Sequence, residues 1–204
     1  PALYYYFGEF ESGRWGNMSE KDKILASLFQ TVTPRTAGFN TVDLTKISEA
    51  GITIMILLML IGGAPGSTAG GMKLTTVAIL FTNMITVFKR KGDIECYGRR
   101  IEDSVVKSAA TLIMMYASLC IGGAVIISIV EKLPMLACIF ETASAVATVG
   151  LTLGITPGLG IVSKIVLIIL MYIGRVGGLT LIFATVSESV KKGSKYPKEK
   201  VTVG

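Results

Sequence analysis

Two apolar runs, Ile52 to Ile61 and Leu74 to Phe81, are separated by Gly62-Gly63-Ala64-Pro65-Gly66-Ser67-Thr68-Ala69-Gly70-Gly71-Met72-Lys73. The first run falls short of a hydrocarbon core of about 30 Å at about 1.5 Å per helical residue, whereas both runs together with the break are sufficient. Lipid offers no partner to a backbone N–H or C=O. A glycine-rich loop at that depth therefore has to be buried in protein or line a water-filled cavity. One discontinuous span over residues 47–88, with other helices packed around its middle, is the arrangement this stretch demands.

The charge pattern agrees with lipid as the surrounding solvent. Only 17% of the 204 residues are charged and 51% are hydrophobic, where average soluble domains carry about 25% charge. The net charge of +6 is concentrated in Lys89-Arg90-Lys91, Arg99-Arg100 and a tail with Lys191, Lys192, Lys195, Lys198 and Lys200. Cytoplasmic loops carry such an excess, so no nucleic-acid partner is expected. The chain has no histidine, which removes His-based metal sites and triads. Cys96, Cys120 and Cys138 make no even disulfide framework. The apolar regions hold no credible acid–base pair, so no enzyme and no cofactor are expected. Pro1 follows no initiator Met or targeting segment, and the chain is expected to be part of a longer one.

Along the chain, Pro1 to Gly16 is rich in aromatics, as at a membrane–water interface, and reads either as an exposed amphipathic segment or as the outer end of a first membrane helix. Ser19 is an N-cap with Asp22 in the first turn of a helix reaching Val32, too short to span. Thr33 to Thr41 contains Pro34 and Gly38 and cannot continue as helix. The broken span follows, then a polar cytoplasmic connection over 89–103. Ser104 to Val130 reads as an uninterrupted membrane helix. A second short helix, Met135 to Val146, leads into Thr148-Val149-Gly150-Leu151-Thr152. A last long helix occupies 159–188, and 191–204 is a cytoplasmic tail.

The chain thus repeats one unit: helix, short re-entrant helix, glycine-containing loop, helix. Phe29-Gln30-Thr31 matches Phe140-Glu141-Thr142, and Thr36-Ala37-Gly38-Phe39 matches Thr148-Val149-Gly150-Leu151 after one inserted residue. The expected fold is an all-α membrane protein made of such repeats, over 1–103 and 104–190, with one broken transmembrane helix. An extended loop held by a short helix turns successive carbonyls toward one axis, where their oxygens replace the hydration shell of a cation. Glycines 38 and 150 permit the backbone this needs. The absence of a carboxylate ring argues against a hard divalent ion.

On these residues the chain resembles the Trk/Ktr/HKT superfamily of potassium transporters, whose subunits carry four such repeats around one pore. Arg35 to Thr41 resembles the third filter loop and Thr148 to Leu151 the fourth. Gly66 to Lys73 resembles the intramembrane loop that gates the third repeat, and Gly174 to Leu181 the last helix with its arginine. The terminal Tyr196 to Gly204 looks closer to the bacterial Ktr membrane subunit than to Trk. The resemblance implies a multi-pass protein of the cell membrane with its pore loops outside. Filter carbonyls would come from Thr36, Ala37, Gly38, Phe39, Thr148, Val149, Gly150 and Leu151, with potassium at Gly38 and Gly150. It implies a gate formed by Ala64, Pro65, Gly66, Ser67, Thr68, Ala69, Gly70, Gly71, Met72 and Lys73. K⁺ would be the transported ion, with Na⁺ dependence left open. The partners implied are two further pore repeats outside this chain, a second membrane subunit forming a homodimer, and a cytoplasmic ring of nucleotide-binding regulatory subunits.

Two residues need separate weighing. Lys73 after its glycines approaches a phosphate-binding loop, but Met72 separates Gly71 from Lys73, and Leu74 stands where the Mg²⁺-binding hydroxyl belongs. Arg175 interrupts a long apolar helix, where a charge costs about 2.5 kcal/mol or more on insertion scales. It is expected to face the pore, with loop carbonyls and the hydroxyls of Ser67 and Thr68 as partners, and to act as the counter-charge of the gate. The alternative is a secondary transporter that binds its substrate on the half-helix N-terminus of the broken span. That reading leaves the paired short helices and loops without a role.

Overall fold

A computed structural model describes residues 1–10, 18–67, 69–90, 93–96 and 98–177. The chain begins with α1 (Ala2–Tyr4), which widens into a π-helical turn over Tyr5–Phe10. Then come α2 (Glu20–Val32), α3 (Glu49–Leu60) and α4 (Leu74–Phe88). A two-stranded antiparallel hairpin, β1 (Glu95–Cys96) and β2 (Arg99–Arg100), connects to α5 (Asp103–Glu131), α6 (Met135–Val146) and α7 (Ile161–Val176).

Local chemistry sets the element ends. Ser19 accepts from Asp22 N at 3.3 Å to start α2, and Ser48 accepts from Gly51 N at 3.0 Å to start α3, each meeting one orphan donor of a first turn. The hairpin lies in the stretch read from sequence as a plain polar connection; Arg100 pairs there with Asp93 at 2.9 Å. The described part of the last helix runs to Val176, with Gly177 at φ +88°; the remainder of the expected 159–188 span lies outside the described residues.

α5 has 29 residues, about 44 Å at 1.5 Å each, and among the described residues it alone is long and apolar enough to cross a membrane as a single helix. α6 is the packing centre. It touches α3, α5 and α7, and from Phe140 through Val146 every residue is buried. Small residues make this close approach possible: Gly123 of α5 lies against Thr142, and a β-carbon at Gly174 of α7 would collide with the Val146 carbonyl. α2, the other short helix, buries only Ala26, Ser27 and Gln30.

Candidate functional site: two matched loops above a folded-back loop

After α2 the backbone turns left-handed at Thr36 (φ +64°) and Gly38 (φ +74°); after α6 it does so at Thr148 (φ +55°) and Gly150 (φ +89°). A non-glycine residue at positive φ is uncommon and costs about 1–3 kcal/mol, so two threonines so placed mark a backbone held by its surroundings. Left-handed residues at alternate positions counter the alternation of an ordinary extended strand and bring successive carbonyls toward one side. The two loops also meet. A β-carbon at Gly38 would strike the Val149 carbonyl oxygen, so Gly38 is required by both φ and space. Gly150 has open space beside it, and there φ alone excludes a side chain.

Each loop is held from behind. Thr33 donates its hydroxyl to the Phe39 carbonyl at 2.5 Å, leaving that oxygen one lone pair for anything else. Ala37 N and Gly38 N donate to Thr33 O at 3.2 and 3.1 Å, and Val149 N donates to Ser144 O at 2.9 Å. Behind the second loop Glu141, on α6, accepts from Thr152 Oγ1 at 2.6 Å, Leu153 N at 3.0 Å and Thr156 Oγ1 at 2.6 Å. Gln30 of α2 reaches Thr41 Oγ1 at 3.5 Å. Both pairs span eleven residues, so the repeat extends one layer deeper than the loops.

The Gly62 to Lys73 loop closes on itself. Gly62 N donates to Met72 O at 2.7 Å, Met72 N to Leu60 O at 3.2 Å and Leu74 N to Gly63 O at 3.2 Å, pinning its neck between the ends of α3 and α4. Ala64-Pro65-Gly66-Ser67 forms a turn, with Ser67 N on Ala64 O at 3.1 Å and Gly66 at φ +86°, as Pro at the second position and Gly at the third favour. Lys73 then folds back, its ammonium donating to Ser67 O at 2.7 Å and Ala69 O at 2.8 Å. A cation at the N-cap of α4 opposes the helix dipole by about 0.3–1 kcal/mol. Two charge-assisted hydrogen bonds, at about 1.5–3 kcal/mol each, outweigh that.

The loop packs under the second of the matched loops: a β-carbon at Gly70 would collide with Thr148 Oγ1 and approach Ala147 O at 2.8 Å, and one at Gly71 would lie 3.4 Å from Ala147 Cβ. Arg175 is exposed in this chain. It lines a cavity of about 470 Å³ shared with Ser67, Gly70 and Lys73, and a second of about 450 Å³ shared with Thr148, Val149 and Gly150. The structure therefore brings both loops, Gly70 and Arg175 into one region. Thr68 lies outside the described residues. Sequence reading missed the roles of Lys73, Thr33 and Glu141. The signal for Glu141 was present as the equal spacing of Gln30 to Thr41 and Glu141 to Thr152; Lys73 left none, because its role exists only once the loop has folded back.

The profile of the TrkH family, described as a cation transport protein, matches residues 6–193. The chain is 41% identical over 189 residues to the potassium/sodium uptake protein NtpJ of Enterococcus hirae, covering 90% of this chain and 42% of that protein. It is 38% identical over 192 residues to the Ktr system potassium uptake protein B of Bacillus subtilis, covering 94% and 43%. The crystal structure of the potassium transporter TrkH from Vibrio parahaemolyticus superimposes with a TM-score of 0.75 at 24% identity over 91% of this chain and 41% of that one. The chain thus spans less than half the length of these relatives.

Proposed function

The chain belongs to the TrkH family of cation transport proteins, membrane transporters and not enzymes, and from this premise we propose that it forms half of a K⁺-translocating pore. Two relatives are named for potassium uptake, one of them for sodium as well. The observation that carries the reading is the matched pair of loops, each left-handed at a threonine and at the glycine two residues on. Thr36 to Phe39 and Thr148 to Leu151 supply two sides of a four-sided filter, with carbonyl oxygens in place of water around the ion. The other two sides come from two further repeats of the longer subunit.

Below the filter, residues 64–73 act as the gate. The loop plugs the path beneath Thr148, and Arg175, shared by the two cavities, raises the electrostatic barrier while the plug is in place. The pore loops face outside; the basic hairpin and the tail face the cytoplasm of a multi-pass protein in the cell membrane. Two membrane subunits pair and sit on a cytoplasmic ring of nucleotide-binding regulatory subunits, which moves the gate.

The filter is tested at Gly150, where a side chain has room but not the right φ. Gly150→Ser in the complete subunit is expected to lower the preference for K⁺ over Na⁺ at least tenfold, read from Rb⁺ uptake against competing Na⁺. Unaltered discrimination in a well-expressed variant removes Gly150 from the filter. Transport of an anionic substrate at the N-terminus of α4 would instead give Rb⁺ density beside the broken helix and none near Gly38 and Gly150.

A further inference from the structure

Glu141 is 4% exposed, and the filter reading gives its side chain no part. A carboxylate moved out of water is costly unless its oxygens are hydrogen-bonded and its charge is matched. The first condition is met within the chain: Thr152 and Leu153 serve Oε1 and Thr156 serves Oε2. The two threonine hydroxyls also lie 3.1 Å from each other, so the carboxylate and its donors form one small network. For the second condition, among the described residues no ion pair joins Glu141 to a cationic side chain. The donors all come from residues 152–156, immediately outside the loop 148–151, and Glu141 lines one cavity with Thr148, Val149 and Gly150.

Gln30 supplies the internal comparison. It occupies the same place behind the first loop, but it is neutral and fully buried, it reaches Thr41 only at 3.5 Å, and its Oε1 has no partner. One loop is therefore backed by a charge and three short bonds. Behind the other loop, the matching side chain contributes only one long bond, beside those that Thr33 makes.

Resting on the filter reading above, we propose that Glu141 is the affinity-setting residue of the pore: it fixes the outer limb of the loop 148–151, and its negative charge is balanced by the cation held there. The ion is drawn toward the 148–151 side of the filter. Arg175 lines the same cavity, and its positive charge lowers this attraction at its own end.

The test uses the complete subunit in K⁺-uptake assays, with Gly150→Ser as the control for the filter itself. Glu141→Gln keeps the size and acceptor of the side chain and removes the charge. It is expected to raise KM for K⁺ about tenfold with Vmax within about twofold, less than the full effect of one unscreened charge a few ångströms away in a partly buried site. Gln30→Glu adds a charge behind the other loop without touching α6 and is expected to lower KM about threefold. It also restores a KM near the parent value when combined with Glu141→Gln. If KM is unchanged in Glu141→Gln and in Gln30→Glu while Gly150→Ser loses discrimination, the filter stands and the role of Glu141 is overturned. If Gly150→Ser keeps its discrimination, both readings fall.

Discussion

At the scale of single residues, Lys73 shows how one ammonium can define a loop. Its two carbonyl acceptors, Ser67 and Ala69, lie on the limb of the loop packed below Thr148, so their loss frees that limb while leaving the neck bonds between residues 60–63 and 72–74 intact. Lys73→Met keeps the length of the stem and removes all three donors. It is expected to raise Rb⁺ flux in the absence of activating signal by about tenfold or more, in line with the loss of at least one charge-assisted bond of about 1.5–3 kcal/mol. Flux equal to that of the parent at equal expression would show that the clamp does not hold the gate. The glycines of the matched loops were legible in the sequence, since their conformation is a property of the residue itself. Lys73 was read as one member of the gating loop and weighed against a phosphate-loop pattern, neither of which pointed to its clamp on Ser67 and Ala69. The threonines at positive φ were legible as repeat members, but their strain was not, because a threonine adopts φ above zero only when the neighbouring structure imposes it.

At the scale of elements, the short helices α2 and α6 and the break between α3 and α4 followed from hydrophobic runs, caps and glycines, which are local signals. What joins the elements was not local. Glu131 ends α5 and reaches across to the start of α7, accepting from Gly160 N at 2.8 Å and Ser163 Oγ at 2.6 Å. Glu9, in the π-helical turn, does the same at the start of α3, accepting from Ser48 N at 3.2 Å and from the Ser48 hydroxyl. In both places a carboxylate from an earlier helical segment thus caps the start of a later helix, where N–H groups lack partners and the helix dipole favours negative charge. The equivalence escaped sequence comparison because the connections between first helix and pore helix differ in length, which shifts Glu9 out of register with Glu131. Glu131→Ala is expected to lower the melting temperature of the solubilised subunit by a few degrees, as loss of a helix cap does, with ion selectivity kept. No change in melting would mean that solvent replaces the clasp at no cost.

At the scale of the whole molecule, the two repeats are unequally finished. α6 is enclosed by α3, α5 and α7, whereas α2 presents Ile24, Leu25, Leu28 and Val32, each at least 50% exposed. Exposed apolar patches of this kind mark contact surfaces. Under the proposed function the cover is the rest of a longer subunit, since the chain covers only 42–43% of its potassium-uptake relatives. Nothing in the sequence of this half could specify which of its helices would be covered, since lipid and a neighbouring helix ask for the same apolar residues. A spin label at Leu28→Cys in the complete subunit separates the two. Packed against the remaining repeats, it is expected to be immobilised and to collide little with either dissolved oxygen or a water-soluble nickel chelate. A mobile label with high oxygen accessibility would place α2 against lipid, and the four-sided arrangement of filter loops would then need a different neighbour for the first loop of this chain.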